Sequence, residues 1–289
     1  MKNYVICVEA EVLMKKIKMV DIAKGKGRPY ILTISPKTDK DGNQMIMLLA
    51  NDTLAQASTM FAAPMHIVEV DEEGNERVCE EEKLEEILQI SLSSDFQKAV
   101  EAFSSISEQL IFVINEKTVT VVTGESRIEL AIMDKVDIVP TPKNKEKATV
   151  SVKRLDAAKQ KKYVGVASDL ANNQFTRNLR VRIYSEDKTY LQVYGPSSYI
   201  CSCGKIPVTK ISKNTVPNIT TSFGIFSVDR IRNVFFSLEG EEVTLSFYYE
   251  KSEEGAAPGA ICSLVIICGN DKFQFTHFAT SAMESVLDT

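Results

Sequence analysis

The feature that most constrains this chain is a plan that recurs. Four times, a strand-like run leads to one helix-like segment and then to about three further strand-like runs, with two such units in each half. Recurrence of a supersecondary unit dictates architecture, because each copy must bury its apolar face against a neighbour. The first unit reads as a strand at Asn3–Val8, a helix over Glu11–Lys26, and strands at Tyr30–Ser35, Gln44–Ala50 and Thr53–Ala62. Leu13, Ile17 and Val20 form its helical stripe, and Gly25, Gly27 and Pro29 end the helix. A hairpin through the acidic tip Asp71–Asn75 and a strongly acidic run at Glu80–Glu86 follow.

The second helix carries Phe96, Ala99, Val100, Phe103 and Ile106 on one face. Strands at Leu110–Asn115, Thr118–Thr123 and Arg127–Met133 make a meander behind it. Val136–Ala148 holds two prolines among polar residues and reads as a linker. The plan then restarts with a strand at Thr149–Val152, a basic helix to about Leu170, and strands at Leu179–Ser185, Tyr190–Gly195 and Tyr199–Lys205. A last unit runs from Phe223–Phe226 through a helix at Val228–Leu238 to strands at Val243–Tyr249, Ala260–Ile267 and Lys272–His277.

Charge sharpens the picture. The chain of 289 residues has a formal net charge of -5, yet its basic residues gather on helical segments. Lys15, Lys16, Lys18 and Lys24 fall on the first, Lys98 on the second, Lys153, Arg154, Lys159, Lys161 and Lys162 on the third, and Arg230 and Arg232 on the fourth. On the first helical wheel Lys15 and Lys18 point away from the apolar stripe and Lys16 flanks it. The second helix, with Lys98 beside Glu101, barely shares the bias. A lone lysine on an exposed helix face is most often only solvated, so the argument rests on several helices together.

Chemistry of the catalytic kind is missing from the pattern. There is no glycine-rich phosphate loop, no Gly-x-Ser-x-Gly elbow and no paired-histidine motif, so the expectation is a non-enzyme. His66 and His277 do not stand at ligand spacing from any of the six cysteines, which therefore read as reduced strand residues without a metal or other cofactor. No run of eighteen apolar residues and no signal-peptide layout occur, so the expected setting is the cytoplasm, that of the host if the protein is viral.

The chain resembles the DNA sliding clamps, the processivity factors of replicative polymerases. Val5–Ala23 (VICVEAEVLMKKIKMVDIA) is similar to the opening strand and helix of a bacterial clamp domain. Met47–Ala62 resembles the segment in which a strand ends at an acidic corner, with Asn51-Asp52 in that place. Lys117–Val139 resembles the closing meander, and Ser151–Gly165 echoes the opening again. Two domains rather than three match the proliferating-cell-nuclear-antigen and phage type. The corner expected after Tyr190–Tyr194 is replaced by Gly195-Pro196-Ser197, and the C-terminus does not match that of bacterial clamps.

The resemblance implies an α+β clamp fold: a domain over 1–138, a connector over 139–148 and a second domain over 149–289. In that family twelve units close a ring, with helices lining the hole and antiparallel sheets outside. Four units per chain then imply a homotrimer encircling double-stranded DNA, with a DNA polymerase and a clamp loader ATPase as partners, in a phage or a bacterium. The basic helical residues named above would touch phosphates without reading sequence. Val139 and Pro140 fall near the groove where partner peptides dock in related two-domain clamps. The competing expectation is a β-rich, non-enzymatic assembly module that binds no DNA.

Overall fold

The computed structural model describes residues 2–53, 55–71, 73–79, 83–136, 138, 146–153, 178–185, 188–194, 206–212, 220–224, 242–249, 261–268 and 273–278. It divides into two compact units, Met1–Asp52 with Gln56–Ile138, and Val139–Thr289 with Thr53–Ala55.

In the first unit, β1 (Lys2–Glu9) enters α1 (Ala10–Asp21), which is followed by β2 (Tyr30–Thr38), β3 (Gln44–Asn51) and β4 (Ala55–Ala63). Pro64 separates β4 from β5 (Met65–Val70), which pairs with the short β6 (Glu76–Val78). Then come β7 (Leu88–Leu92), α2 (Asp95–Ser104), β8 (Gln109–Ile114), β9 (Thr118–Thr123) and β10 (Ser126–Met133). Among the described residues the strands pair antiparallel within this unit, and its two halves are built alike. β2, β3 and β4 form one meander and β8, β9 and β10 the other. The opening strand of each half joins the ladder of the other half: β1 lies against β8, and β7 against β2. Each meander also hands its last strand across. β5 continues β4 and pairs with β1, while β10 leaves β9 after Ala131 and pairs with β7 through Ile132 and Met133.

Local sequence explains these elements. β9 buries Val119, Val121 and Thr123 and leaves the residues between them half-covered, the period of two of a one-sided strand. Two hairpin loops of one chemistry, Asp39–Asn43 and Asp71–Asn75, join β2 to β3 and β5 to β6. In each, the aspartate Oδ1 accepts the main-chain N–H groups two and four residues on, and Oδ2 accepts the asparagine side chain. Gly42 and Gly74 occupy the left-handed position that each loop requires, at φ 84° and 87°. The core lies between the helices and the sheets. There the ring of Phe96 stands 5.9 Å from both Tyr30 and Phe112.

The second unit repeats the frame. It comprises β11 (Glu146–Lys153), β12 (Asn178–Ser185), β13 (Thr189–Tyr194), β14 (Ile206–Ile211), β15 (Thr220–Gly224), β16 (Glu242–Tyr249), β17 (Ile261–Cys268) and β18 (Phe273–Phe278). β11 pairs with β14 and β16 as β1 pairs with β5 and β8. β12 pairs with β13 and β15 as β2 does with β3 and β7, and β16, β17 and β18 repeat the closing meander. β14 does alone what β4 and β5 do together: Ile206 and Pro207 face β13, and the residues from Val208 onward face β11. Pro64 and Pro207 both stand at this handover, the kind of place in a sheet where proline, which lacks an N–H, is tolerated.

Several expectations are corrected. α1 ends at Asp21, not Lys26, because Ala23 and Lys24 already donate to carbonyls three residues back. Leu88–Leu92 is a strand that no expectation assigned, and it is the opening strand that the plan requires of the second unit. The alternation of Leu88, Ile90 and Leu92 with Gln89 and Ser91 was its signal. Ile106 leaves the α2 stripe and is 68% exposed, because the helix ends at Ser104 and the chain turns. β11 starts at Glu146, inside the expected connector, and ends at Lys153, which was expected in a helix. Ile206–Ile211 is a strand where a polar connection was expected from Lys210. The expected third and fourth helices lie outside the described residues. No helix among the described residues is long and apolar enough to cross a membrane.

Candidate nucleic-acid interface

α1 buries Ala10, Leu13, Lys16, Ile17, Met19 and Val20 and exposes Glu11, Lys15, Lys18 and Asp21. Lys16 is thus a correction: expected to flank the apolar stripe as a phosphate contact, it is only 5% exposed. Met19 widens the buried arc, so that Lys16 falls between Met19 and Val20 on the wheel and lies inside it. With Lys16 inside, the exposed positions of α1 carry as much acid as base.

The basic surplus comes from the turn after the helix. Lys24-Gly25-Lys26-Gly27-Arg28 alternates cations with glycines, and Lys26 and Arg28 are exposed. The turn is held in place: Gly25 N–H donates to the Asn51 carbonyl at 3.2 Å, and Arg28 N–H to the Gly25 carbonyl at 3.0 Å. A Cβ on Gly25 would lie 2.8 Å from the Asp52 Cβ, so only glycine allows this approach to the Asn51-Asp52 corner. Gly27 at φ 73° turns the chain so that its neighbours point outward. The expected phosphate contacts on this segment stop at Lys24. Lys26 and Arg28 extend the strip, and their alternation with glycine was the available signal.

Tyr30, the first residue of β2, ties this end of α1 to α2. It is fully buried. Its hydroxyl lies 2.8 Å from the Asp21 Oδ1 and 2.6 Å from the Gln97 Oε1. Burial pushes its pKa far up, and the Asp21 carboxylate adds to the shift, so the phenol stays protonated and remains a donor. The Lys24 Nζ sits 4.9 Å above the centroid of the same ring, a cation–π contact.

α2 differs. Its exposed positions include Asp95, Lys98, Glu101 and Ala102. The Lys98 Nζ is bound to the Asp95 Oδ1 at 3.0 Å, and the Gln97 amide donates to Glu101 at 3.0 Å. A groove of about 600 Å³ beside α1, which Met14 and Lys18 line, is rimmed by Glu9, Glu11 and Glu108. In the second unit Lys153 is exposed at the end of β11, in register with Glu242. Arg154, Lys159, Lys161, Lys162, Arg230, Arg232, Val139 and Pro140 lie outside the described residues. Among the described residues, no cluster of His, Cys, Asp or Glu is arranged to hold a metal ion.

No family model matches the chain, and no curated protein matches it in sequence. Solved structures do match in fold. The DNA polymerase sliding clamp of Bacillus subtilis superposes with a TM-score of 0.65 at 14% identity, over 96% of this chain and 64% of that one. The β sliding clamp of C. crescentus gives 0.64 at 13%, over 96% and 66%. The DNA polymerase III β subunit of Pseudomonas aeruginosa gives 0.63 at 13%, over 96% and 66%. The fold is therefore the α+β sliding-clamp fold, and this chain spans about two thirds of the length of these clamps.

Proposed function

We propose that this chain is the subunit of a ring-shaped sliding clamp that encircles duplex DNA and tethers a replicative DNA polymerase to it. The observation that carries the reading is the clamp pairing frame present twice in one chain, with a helix whose exit presents Lys24, Lys26 and Arg28 on one turn. Exposed lysine and arginine on a rigid frame attract phosphates without reading bases, the contact that a sliding ring needs. Four strand–helix units per chain make a homotrimer the simplest closed ring. A clamp loader ATPase would open it, in a bacterium or a phage-infected cell and in the cytoplasm. The chain itself would catalyse nothing. Lys15, Lys18, Lys24, Lys153, Arg154, Lys159, Lys161, Lys162, Arg230 and Arg232 are its proposed DNA contacts, joined by Lys26 and Arg28 of the exit turn. Lys98 is the weakest of the set because it is paired with Asp95, and Val139 and Pro140 lie near a partner-peptide groove. Residues 1–138 and 149–289 are the proposed domains.

The exposed charges of α2 favour a second reading, an assembly module that binds no DNA, because carboxylates outnumber cations there. The deciding experiment measures absolute mass by light scattering across a dilution series, then polymerase stimulation on primed circular DNA. A three-chain particle is expected. Changing Lys15, Lys18, Lys159 and Lys161 to Glu should abolish stimulation and leave the mass unchanged. A stable monomer, or full stimulation by that variant, would overturn the reading.

A further inference from the structure

The first unit contains the same Asp-x-x-Lys spacing at two helix ends, and the two behave differently. Asp95 and Lys98 form an ion pair at 3.0 Å. Asp21 and Lys24 do not, although three residues on or next to a helical turn bring such side chains within reach. Among the described residues, Tyr30 separates the second pair. Its hydroxyl engages the Asp21 carboxylate at 2.8 Å, and its ring takes the Lys24 ammonium at 4.9 Å.

We propose that Tyr30 is a positioning residue that keeps Lys24 from being neutralised by Asp21 and so leaves its charge free for a phosphate. The inference rests on the reading that the exit turn of α1 faces DNA. The physical basis is a division of labour on one side chain. A phenol that burial keeps protonated is a permanent donor, so it satisfies one carboxylate oxygen and turns the group toward β2. The ring face holds the ammonium by its quadrupole, a contact that a phosphate oxygen can share because cation–π attraction leaves the N–H groups directed outward. An Asp–Lys pair, in contrast, spends the same charge internally, as Lys98 does. The Gln97 Oε1 of α2, at 2.6 Å from the hydroxyl, is a second acceptor that shares the single phenol proton with Asp21.

The test uses the full chain and a duplex oligonucleotide, with association measured from low to moderate salt. Tyr30→Phe keeps the ring and removes the hydroxyl. The expected result is a salt slope shallower by about 0.9, the change for one phosphate fewer neutralised, and Asp21→Asn added to Tyr30→Phe should restore the slope. Lys24→Gln should lower the slope as much as Tyr30→Phe does, and Tyr30→Phe added to Lys24→Gln should lower it no further. A Tyr30→Phe slope equal to the parent's, or a lowered one that Asp21→Asn fails to restore, overturns the proposal. If Lys15→Gln and Lys18→Gln lower the slope and Lys24→Gln does not, the DNA reading stands and the proposal falls.

A second readout needs no DNA. The Lys24 ε-methylene protons should carry an upfield ring-current shift that relaxes in Tyr30→Phe and returns in Tyr30→Phe with Asp21→Asn. A parent that ignores DNA but shows these shifts refutes the clamp reading while upholding the separation of the pair. Shifts that do not respond refute the separation itself.

Discussion

The two halves of the first unit share a frame and differ in what they put on it. Each is an opening strand lent to the other half's ladder, one helix and a three-strand meander. The buried residues of α2, Phe96, Ala99, Val100 and Phe103, answer those of α1. Outside, the halves part. α1 exits through Lys24-Gly25-Lys26-Gly27-Arg28 and α2 through Ser105-Ile106-Ser107-Glu108. Burial and pairing must be satisfied in every copy of the unit, whereas an exposed charge answers only to water and to whatever binds there. The proposed DNA contact at the α1 exit rests on this asymmetry.

The largest expected effect would break the shared frame. Phe96 is 1% exposed and packs against both Tyr30 of the first half and Phe112 of the second. Phe96→Ala should cost about 3–5 kcal/mol in urea unfolding and destabilise both halves in one transition. A cost below about 1 kcal/mol would mean that the halves do not share a core.

A smaller effect sharpens the contrast in charge. Changing Lys15 and Lys18 to Glu should weaken duplex binding and flatten its salt dependence by about 0.9 for each phosphate no longer neutralised. Lys98→Gln should change the salt slope less than Lys15→Gln or Lys18→Gln does, because Asp95 already offsets that ammonium. Equal changes from these Gln variants would erase the distinction between the halves.

The smallest effect concerns acid. Asp71 is held below the usual carboxylate range by the Asn75 side chain and by the N–H groups of Asn75, Glu73 and Gly74. Asp39 is partly desolvated, which opposes ionisation, but the Asn43 and Asp41 donors and the Lys40 charge outweigh this and lower it too. A lowered folded pKa means that the stabilisation is fully present above the unfolded value of about 3.9 and is lost as pH falls through the folded value. The β8–β9 turn is capped by the uncharged Asn115, whose Oδ1 accepts from Lys117 and Thr118. In an NMR titration, the tips at Asp39–Asn43 and Asp71–Asn75 should therefore loosen below about pH 4 while the Asn115 turn holds. Parallel loosening of all three would show that acid acts on the frame and not on these aspartates.

Much of this was legible before any coordinate. The Asp-x-x-Gly-Asn loop, the alternation of Thr118–Thr123 and the stripe of α2 each declare themselves within a few residues, because turn chemistry and side-chain period are local. Recurrence of those signals carried the sliding-clamp resemblance. β7 was the one strand of the first unit left unassigned, since five residues beside an acidic run give a weak period. What the sequence by itself determined is therefore the order of the elements and the clamp plan. Which lysines face outward was decided only in three dimensions. Lys15 and Lys16 are chain neighbours, yet one is exposed and the other buried, because Met19 also packs inward and draws Lys16 into the covered arc. Lys24 and Lys98 share a spacing, yet Tyr30, at the start of the next strand, divides one pair. The fate of a charge depends on the second surface that approaches it, and although Met19 and Tyr30 are near in sequence, only the folded chain brings them against Lys16 and Lys24.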